Sequence, residues 1–382
     1  MKPLPPLQPL RPARVEAFVL RCPIAEPVRT SFGTMVDRPA VFVRIEDDEG
    51  AVGWGEIWCN FPACGAEHRA RLLETVMAPL LVGRSFASPR EAFDDLTART
   101  AVLAIQCAEP GPMAQTIAGI DLALWDLCAR RAGLPLWRLL GGEQDQVGVY
   151  ASGISPDRPQ ELVAAQLALG HRAFKLKIGF GIERDLANLA ALREMIGDDL
   201  ALMTDANQCW TLAQACEMMP LLEPFKLGWL EEPLRADRPW SQWQTLAQAS
   251  SIPLAAGENI AGEEVFDLAI RQSPLAVLQP DLAKWGGISG CWPVIEQAQS
   301  AGLRYCPHYL GGGIGLLASA HVLAASGGAG MLEIDINPNP LRSLLAGGLV
   351  DIVQGRANLG HLPGLGVVPD LRQLADAAAA GC

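Results

Sequence analysis

Phe174-Lys175-Leu176-Lys177-Ile178-Gly179 is the stretch from which the fold is read. Residues 173–178 make a short apolar run that ends on a glycine, and the two lysines, two positions apart, share one face of a strand. Runs of the same kind recur at 147–151 before it and at 201–204, 227–230, 253–256, 276–278, 304–306 and 331–332 after it. Amphipathic stretches with helical spacing fill the intervals. Strand–helix alternation implies parallel strands, and eight repeats imply a (β/α) barrel.

From the second run onward, each run ends in, or just before, a polar or ionisable residue. These are Lys177, Asp205, Glu231, Glu258, Asp281, His308 and Glu333, with successive gaps of 28, 26, 27, 23, 27 and 25 residues. Each gap is one strand–helix unit, so in a parallel barrel all seven side chains gather on the C-terminal rim, where active sites sit. Taken singly, each has an ordinary structural explanation. An Asp or Glu at a strand end caps the next helix, His308 beside Pro307 is a satisfied structural group, and Lys175 with Lys177 is a half-exposed strand face. Independent caps have no reason to recur as a lysine pair, three acids, an Asp and a His, and a last acid.

Asp205, Glu231 and Glu258 offer carboxylate oxygens from three successive strands. Hard ligands of this kind suit Mg²⁺, with Mn²⁺ as a substitute, and water or substrate oxygens completing the shell. Three carboxylates packed together repel unless a cation sits between them. No His or Cys lies at ligand spacing with them, which argues against zinc. Glu232 follows Glu231 directly, and strand alternation is expected to turn it away from the barrel axis. Lys175 and Lys177 are expected to depress each other's pKa and so poise a general base. Asp281 and His308 occupy adjacent strand ends, where the carboxylate is expected to fix the imidazole tautomer and leave the other ring nitrogen free for proton transfer.

Upstream the pattern differs. Residues 14–20 alternate, 40–45 and 51–57 read as strands joined by a polar turn at 46–50, and 66–129 have helical spacing broken by Pro and Gly. Strands followed by helices imply an α+β layer. The barrel rhythm stops near Leu341, and the tail is expected to pack back on the first section. The expected division is an α+β capping domain at 1–138, a barrel at 139–340 and a returning segment at 341–382.

The chain has 382 residues, half of them hydrophobic, which suits one large domain plus a smaller one. A net charge of -12 repels a phosphate backbone and argues against nucleic acid as a partner, although a bound cation can still reverse the local field for an anionic substrate. No run of about 18 apolar residues marks a membrane span. The start is Pro-rich and lacks the apolar stretch of a secretory signal. Ten cysteines without C-x-x-C pairs read as reduced thiols, in keeping with a cytoplasmic enzyme. A symmetric homo-oligomer is the default assembly.

Several of these phrases carry a resemblance. Phe174 to Gly179, Thr204-Asp205-Ala206-Asn207-Gln208, Trp229-Leu230-Glu231-Glu232-Pro233, Gly257-Glu258-Asn259 and Gln279-Pro280-Asp281 are similar to the mandelate racemase branch of the enolase superfamily. So are Gly53-Trp54-Gly55-Glu56, Ala118-Gly119-Ile120-Asp121-Leu122-Ala123-Leu124-Trp125-Asp126 and Leu139-Leu140-Gly141-Gly142 upstream. The resemblance spans nearly the whole chain. It implies a (β/α)7β TIM-like barrel under an α+β capping domain built from both chain ends. It implies Mg²⁺ on Asp205, Glu231 and Glu258 with Asn207 close by, Lys177 as one base with Lys175 as its electrostatic partner, and His308–Asp281 as the other base. Glu333 resembles the acid that hydrogen-bonds the substrate carboxylate, a role that needs a raised pKa.

The muconate-cycloisomerase branch places a lysine where this chain has Asp281. Lys284, three residues on, does not fill that position and is expected only as a neighbour on the substrate side. The stretches His308-Tyr309-Leu310-Gly311-Gly312-Gly313 and 332–341 resemble members acting on acid sugars and their lactones. The expected substrate is therefore a small carboxylate. Its α-proton is removed through an enediolate that then undergoes dehydration, cycloisomerisation, or racemisation, with dehydration of an acid sugar favoured. Specificity is expected from the capping segments 27–37 and 58–65, where Trp58 and Phe61 form an apolar lid or pack the domain interface. Two other classes compete. One is a metal-dependent hydrolase on a barrel, which would normally use histidine ligands. The other is a non-catalytic scaffold, which needs neither paired lysines nor a His–Asp dyad.

Overall fold

A computed structural model describes residues 7–29 and 33–381. The first section opens with three antiparallel strands, β1 (Pro12–Arg29), β2 (Thr34–Asp47) and β3 (Val52–Ile57), in the order β1-β2-β3. The β2–β3 connection is the expected hairpin, with Gly50 at a φ of 85° in its turn. The helix Pro110–Arg131 lies across β3 at very close range. A Cβ at Gly55 would stand 2.0 Å from the Gly119 carbonyl, and one at Gly119 would stand 2.4 Å from Ile57. Only glycine lets sheet and helix approach this far. Asp126 in the same helix accepts the Trp54 N–H at 2.8 Å and the Leu365 N–H at 2.7 Å, tying cap strand, cap helix and C-terminal tail together.

The barrel follows as β4 (Gln146–Ile154), β5 (Ala173–Lys177), β6 (Ala201–Asp205), β7 (Leu230–Glu231), β8 (Leu254–Ala256), β9 (Leu275–Leu278), β10 (Arg304–Tyr305) and β11 (Met331–Asp335). A helix separates each pair. All eight strands are parallel, in the order β10-β9-β8-β7-β6-β5-β4-β11. The barrel is nearly closed. At the remaining seam the Met331 N–H reaches the Cys306 sulfur at 3.4 Å. The (β/α)7β architecture under an α+β cap is the one expected from the sequence.

The lower layer inside the barrel is apolar and contains Tyr150, Ala173, Met203, Trp229 and Cys306. Each lies two residues before Ser152, Lys175, Asp205, Glu231 or His308, so strand alternation lifts that second set to the layer above, at the mouth.

One element was not expected. β12 (Arg356–Asn358) pairs antiparallel with β4, so part of the tail belongs to the bottom of the barrel. The tail then turns back, and its helix Leu371–Ala380 packs on β1 of the cap. Among the described residues no helix is long and apolar enough to cross a membrane.

Candidate active site

The barrel mouth brings the expected rim residues together. Lys175 is fully buried, and its Nζ donates to both Glu231 oxygens at 2.7 and 2.8 Å and stands 2.7 Å from Glu333 Oε1. Its ammonium also lies 5.4 Å from the centre of the Tyr150 ring below it. Lys177, partly exposed, donates to Asp205 Oδ2 at 2.5 Å. The β5–β6 register sets Lys177 opposite Asp205, and the β6–β7 register sets Asp205 opposite Glu231. On the other side of the mouth Asp281 Oδ2 is 2.8 Å from His308 Nδ1, and His308 Nε2 is 2.7 Å from Glu258 Oε2. Glu333 accepts from the Ser152 hydroxyl and, at 3.3 Å, from the Tyr309 N–H.

The three acids expected as ligands stand on neighbouring strand ends. Among the described residues they do not close on one point. Each meets a cation of the site instead: Asp205 meets Lys177, Glu231 meets Lys175, and Glu258 meets His308. As a donor set they still fit a hard divalent ion. They are carboxylates only, and their negative charge is crowded. Burial, with Asp205 and Glu333 nearby, pushes Glu231 up to about 7 even though Lys175 pulls it down.

Three expectations need correction, two electrostatic and one of orientation. Lys177 is not poised low. Burial lowers its pKa and Lys175 adds to that, but the Asp205 and Glu231 carboxylates together outweigh both and raise it. Glu333 is not held protonated. Burial pushes it up, but Lys175, His308 and Ser152 more than offset this, and its carboxyl lies below the ordinary value. Glu232 does not turn away. It adopts φ 41°, which breaks the alternation, and its buried carboxylate shares the Asn259 side-chain N–H₂ with Glu258. Burial and the Glu258 charge push its pKa well above the ordinary value. His308 is also held well above the usual imidazole value, because Glu258, Glu333 and Asp281 outweigh burial.

The remaining candidates fall in two groups. Asn207 has φ 43°, and both its backbone and side-chain N–H groups donate to Asp205, at 2.8 and 3.2 Å. The Lys284 Nζ donates to Asn259 Oδ1 at 2.8 Å, stands 3.5 Å from Glu258 and lies 4.9 Å from the Trp58 ring centre. Trp58 therefore reaches the mouth through Lys284. Phe61 belongs instead to the junction of the two capping segments, since a Cβ at Gly33 would come within 3.1 Å of its ring. Residues 30–32 of the segment 27–37 lie outside the described residues.

Sequence reasoning assigned no role to Gln279 or Trp229, which donate to Glu231 at 2.7 and 3.2 Å, or to Ser152. The first two stand inside motifs already quoted, and Trp229 keeps the inward period of Glu231. Ser152 has no signal beyond its place near the end of the first barrel strand.

Comparison with known proteins gives consistent matches. The profile of the mandelate racemase / muconate lactonizing enzyme N-terminal domain matches residues 14–141, and that of the enolase C-terminal domain-like family matches 159–374. A D-galactarolactone cycloisomerase of Agrobacterium fabrum is 32% identical over 346 residues, covering 86% of this chain and 89% of that protein. An arabinonate dehydratase of Saccharolobus solfataricus is 29% identical over 334 residues, covering 85% and 87%. The crystal structure of a mandelate racemase/muconate lactonizing enzyme from Bordetella bronchiseptica superposes with a TM-score of 0.93 at 59% identity, over 97% of this chain and 100% of that one. A racemase from Streptomyces coelicolor, crystallised with bound magnesium, superposes at 0.85 with 27% identity, over 96% and 99%.

Proposed function

Since the chain belongs to the mandelate racemase/muconate lactonizing enzyme family of the enolase superfamily, we propose that it removes the proton alpha to the carboxylate of an acid sugar and expels the β-hydroxyl as water. Family membership sets aside the hydrolase and scaffold alternatives. The observation that carries the proposal is the Asp281–His308 pair at 2.8 Å, which adds a second proton-transfer group to a mouth that already holds the Lys175–Lys177 pair.

A divalent cation held by Asp205, Glu231 and Glu258, Mg²⁺ or in its place Mn²⁺, would supply Lewis acidity toward the substrate carboxylate and compete with Lys177 for Asp205. The chain's own groups do the rest. Lys175 places a buried ammonium where charge builds on the carboxylate oxygens. Glu333, linked to Lys175 and Ser152, holds that ammonium from the far side. Lys177, as the neutral amine, takes the α-proton, and the C–H electrons move into the carboxylate to give an enediolate. His308, protonated and oriented by Asp281, gives its proton to the β-hydroxyl as the C–O bond breaks. Water leaves, and the enol becomes a 2-keto-3-deoxy acid. Asn207, Lys284 and Trp58 line the approach to these groups and bind the remainder of the substrate, and Phe61 backs the lid.

A second reading, cycloisomerisation of an acid-sugar lactone, is supported by the 32% identity to the D-galactarolactone cycloisomerase. One experiment separates the two. Aldonates, aldarates and their lactones are incubated with the protein and Mg²⁺, and products are followed by NMR. A 2-keto-3-deoxy acid formed directly from an open-chain acid sugar supports dehydration. Turnover of lactones alone supports the second reading, and turnover of neither class rejects both.

A further inference from the structure

Two cap motifs, Gly53-Trp54-Gly55-Glu56 and the helix segment around Asp121, have no part in the chemistry above. Both Glu56 and Asp121 are buried. Glu56, near the end of β3, accepts the Gly312 N–H at 2.5 Å, the Gly315 N–H at 2.9 Å and the Tyr309 hydroxyl. The two N–H donors open the barrel helix Gly313–Ser326, the next helix after His308. Asp121, in the cap helix Pro110–Arg131, accepts the Ile288 and Ser289 N–H groups at 2.7 and 2.9 Å. They open the barrel helix Gly287–Ser300, the next helix after Asp281.

Neighbouring contacts reinforce both ties. The Asn60 side chain donates to the Leu310 carbonyl at 2.5 Å, and the Trp125 Nε1 donates to Ser289 Oγ at 2.9 Å. The glycines at the two tips are required by this approach. A Cβ at Gly312 would stand 2.7 Å from Glu56 Oε1, and one at Gly287 would stand 2.3 Å from Asp121 Oδ2. Carboxylates at helix N-termini satisfy free N–H groups and complement the helix dipole. Here the carboxylates come from one domain and the helices from the other, and the two helices follow the strands that carry the dyad.

We infer that Glu56 and Asp121 are positioning residues through which the cap sets the orientation of the Asp281–His308 pair. Rigid support of this kind matters because a displacement of about 1 Å at a reacting group costs on the order of a hundredfold in rate. The catalytic consequence rests on the proposed function. The positioning itself is a statement about one imidazole ring.

The test reads that ring directly. The chain has five histidines, so the Cε1–H signal of His308 can be assigned by its loss in His308→Asn. In Glu56→Gln, whose amide sets an N–H₂ against the N–H donors, and in Asp121→Asn, the His308 signal should shift or split while those of His68 and His171 stay in place. Tyr309→Phe, which removes one donor to Glu56 without opening a cavity, should give a smaller shift of the same signal. It also keeps the test alive if Glu56→Gln fails to fold. Where an acid sugar is turned over, kcat should fall roughly ten- to a hundredfold in Glu56→Gln with KM little changed. An unmoved His308 signal in the folded variants would overturn the inference. A wild-type protein that turns over no acid sugar would overturn the proposed function, and the His308 signal would still decide the positioning role.

Discussion

The lysine side and the histidine side of the barrel mouth are built by different means. Lys175, Lys177, Asp205 and Glu231 hold one another through contacts between neighbouring barrel strands, in register and buried or nearly so. Asp281 and His308 stand on loops whose following helices are gripped by Glu56 and Asp121 of the cap. One side is therefore a property of the barrel, and the other is a property of barrel and cap together. Under the proposed function, a site divided in this way can keep the half assigned to the carboxylate constant while the cap adjusts the half assigned to the loss of water. Lys284 ties the histidine side to the cap again, since it stands between Glu258, the partner of His308, and the cap residue Trp58.

The largest expected effect falls on the lysine side. Asp205→Asn, or treatment of the wild type with EDTA, should abolish turnover, and Mg²⁺ or Mn²⁺ should restore it only in the wild type. Full activity after chelation would remove the cation from the account. The next effect falls on the histidine side. Asp281→Asn should keep the fold and the carboxylate-binding half, and should lower kcat by roughly three powers of ten with little change in KM, because the imidazole loses its oriented partner. A KM effect of the same size would mean that Asp281 serves binding.

The smallest effect concerns stability and pH. Burial pushes Glu56 and Asp121 up to about 7 from ordinary values of 4.5 and 3.8, against the N–H groups that pull them down. Between those values and about 7 the unfolded chain has released protons that the folded chain still holds. Stability from these two groups is therefore present at low pH, falls as pH rises through that window, and levels off above it. In Glu56→Gln and Asp121→Asn the slope of Tm against pH should be more positive from about pH 5 to about pH 7 than in the wild type. An identical slope would place the proton uptake elsewhere.

Most of the rim was legible in the sequence because a parallel barrel converts a chain period into a spatial ring. Seven strand ends at intervals of 23 to 28 residues could be placed at one mouth from the spacing alone. Glu232 was misread because alternation holds only while the backbone stays extended, and its φ of 41° ends the strand at Glu231. The pKa direction of Lys177 was misread because spacing reveals which like charges are neighbours in the chain, and not which opposite charges meet across strands; that of Glu333 was misread because it followed from the role the resemblance implies and not from the charges around it. What Glu56 and Asp121 hold left no local signal beyond the motifs that contain them. Their partners lie 256 and 167 residues away, and only the docked cap reveals them. The antiparallel strand Arg356–Asn358 was invisible for a similar reason, since three residues carry too little pattern to declare a strand.

The central claim is that the two sides of the mouth carry separate proton-transfer groups. It is tested most directly by following α-proton exchange and loss of water from an acid sugar in D₂O with Mg²⁺, by NMR, in wild type, Lys177→Met and His308→Asn. The account predicts that Lys177→Met loses both, whereas His308→Asn keeps exchange at the α-carbon and loses the elimination of water. Exchange that survives in Lys177→Met, or water loss that survives in His308→Asn, would contradict it.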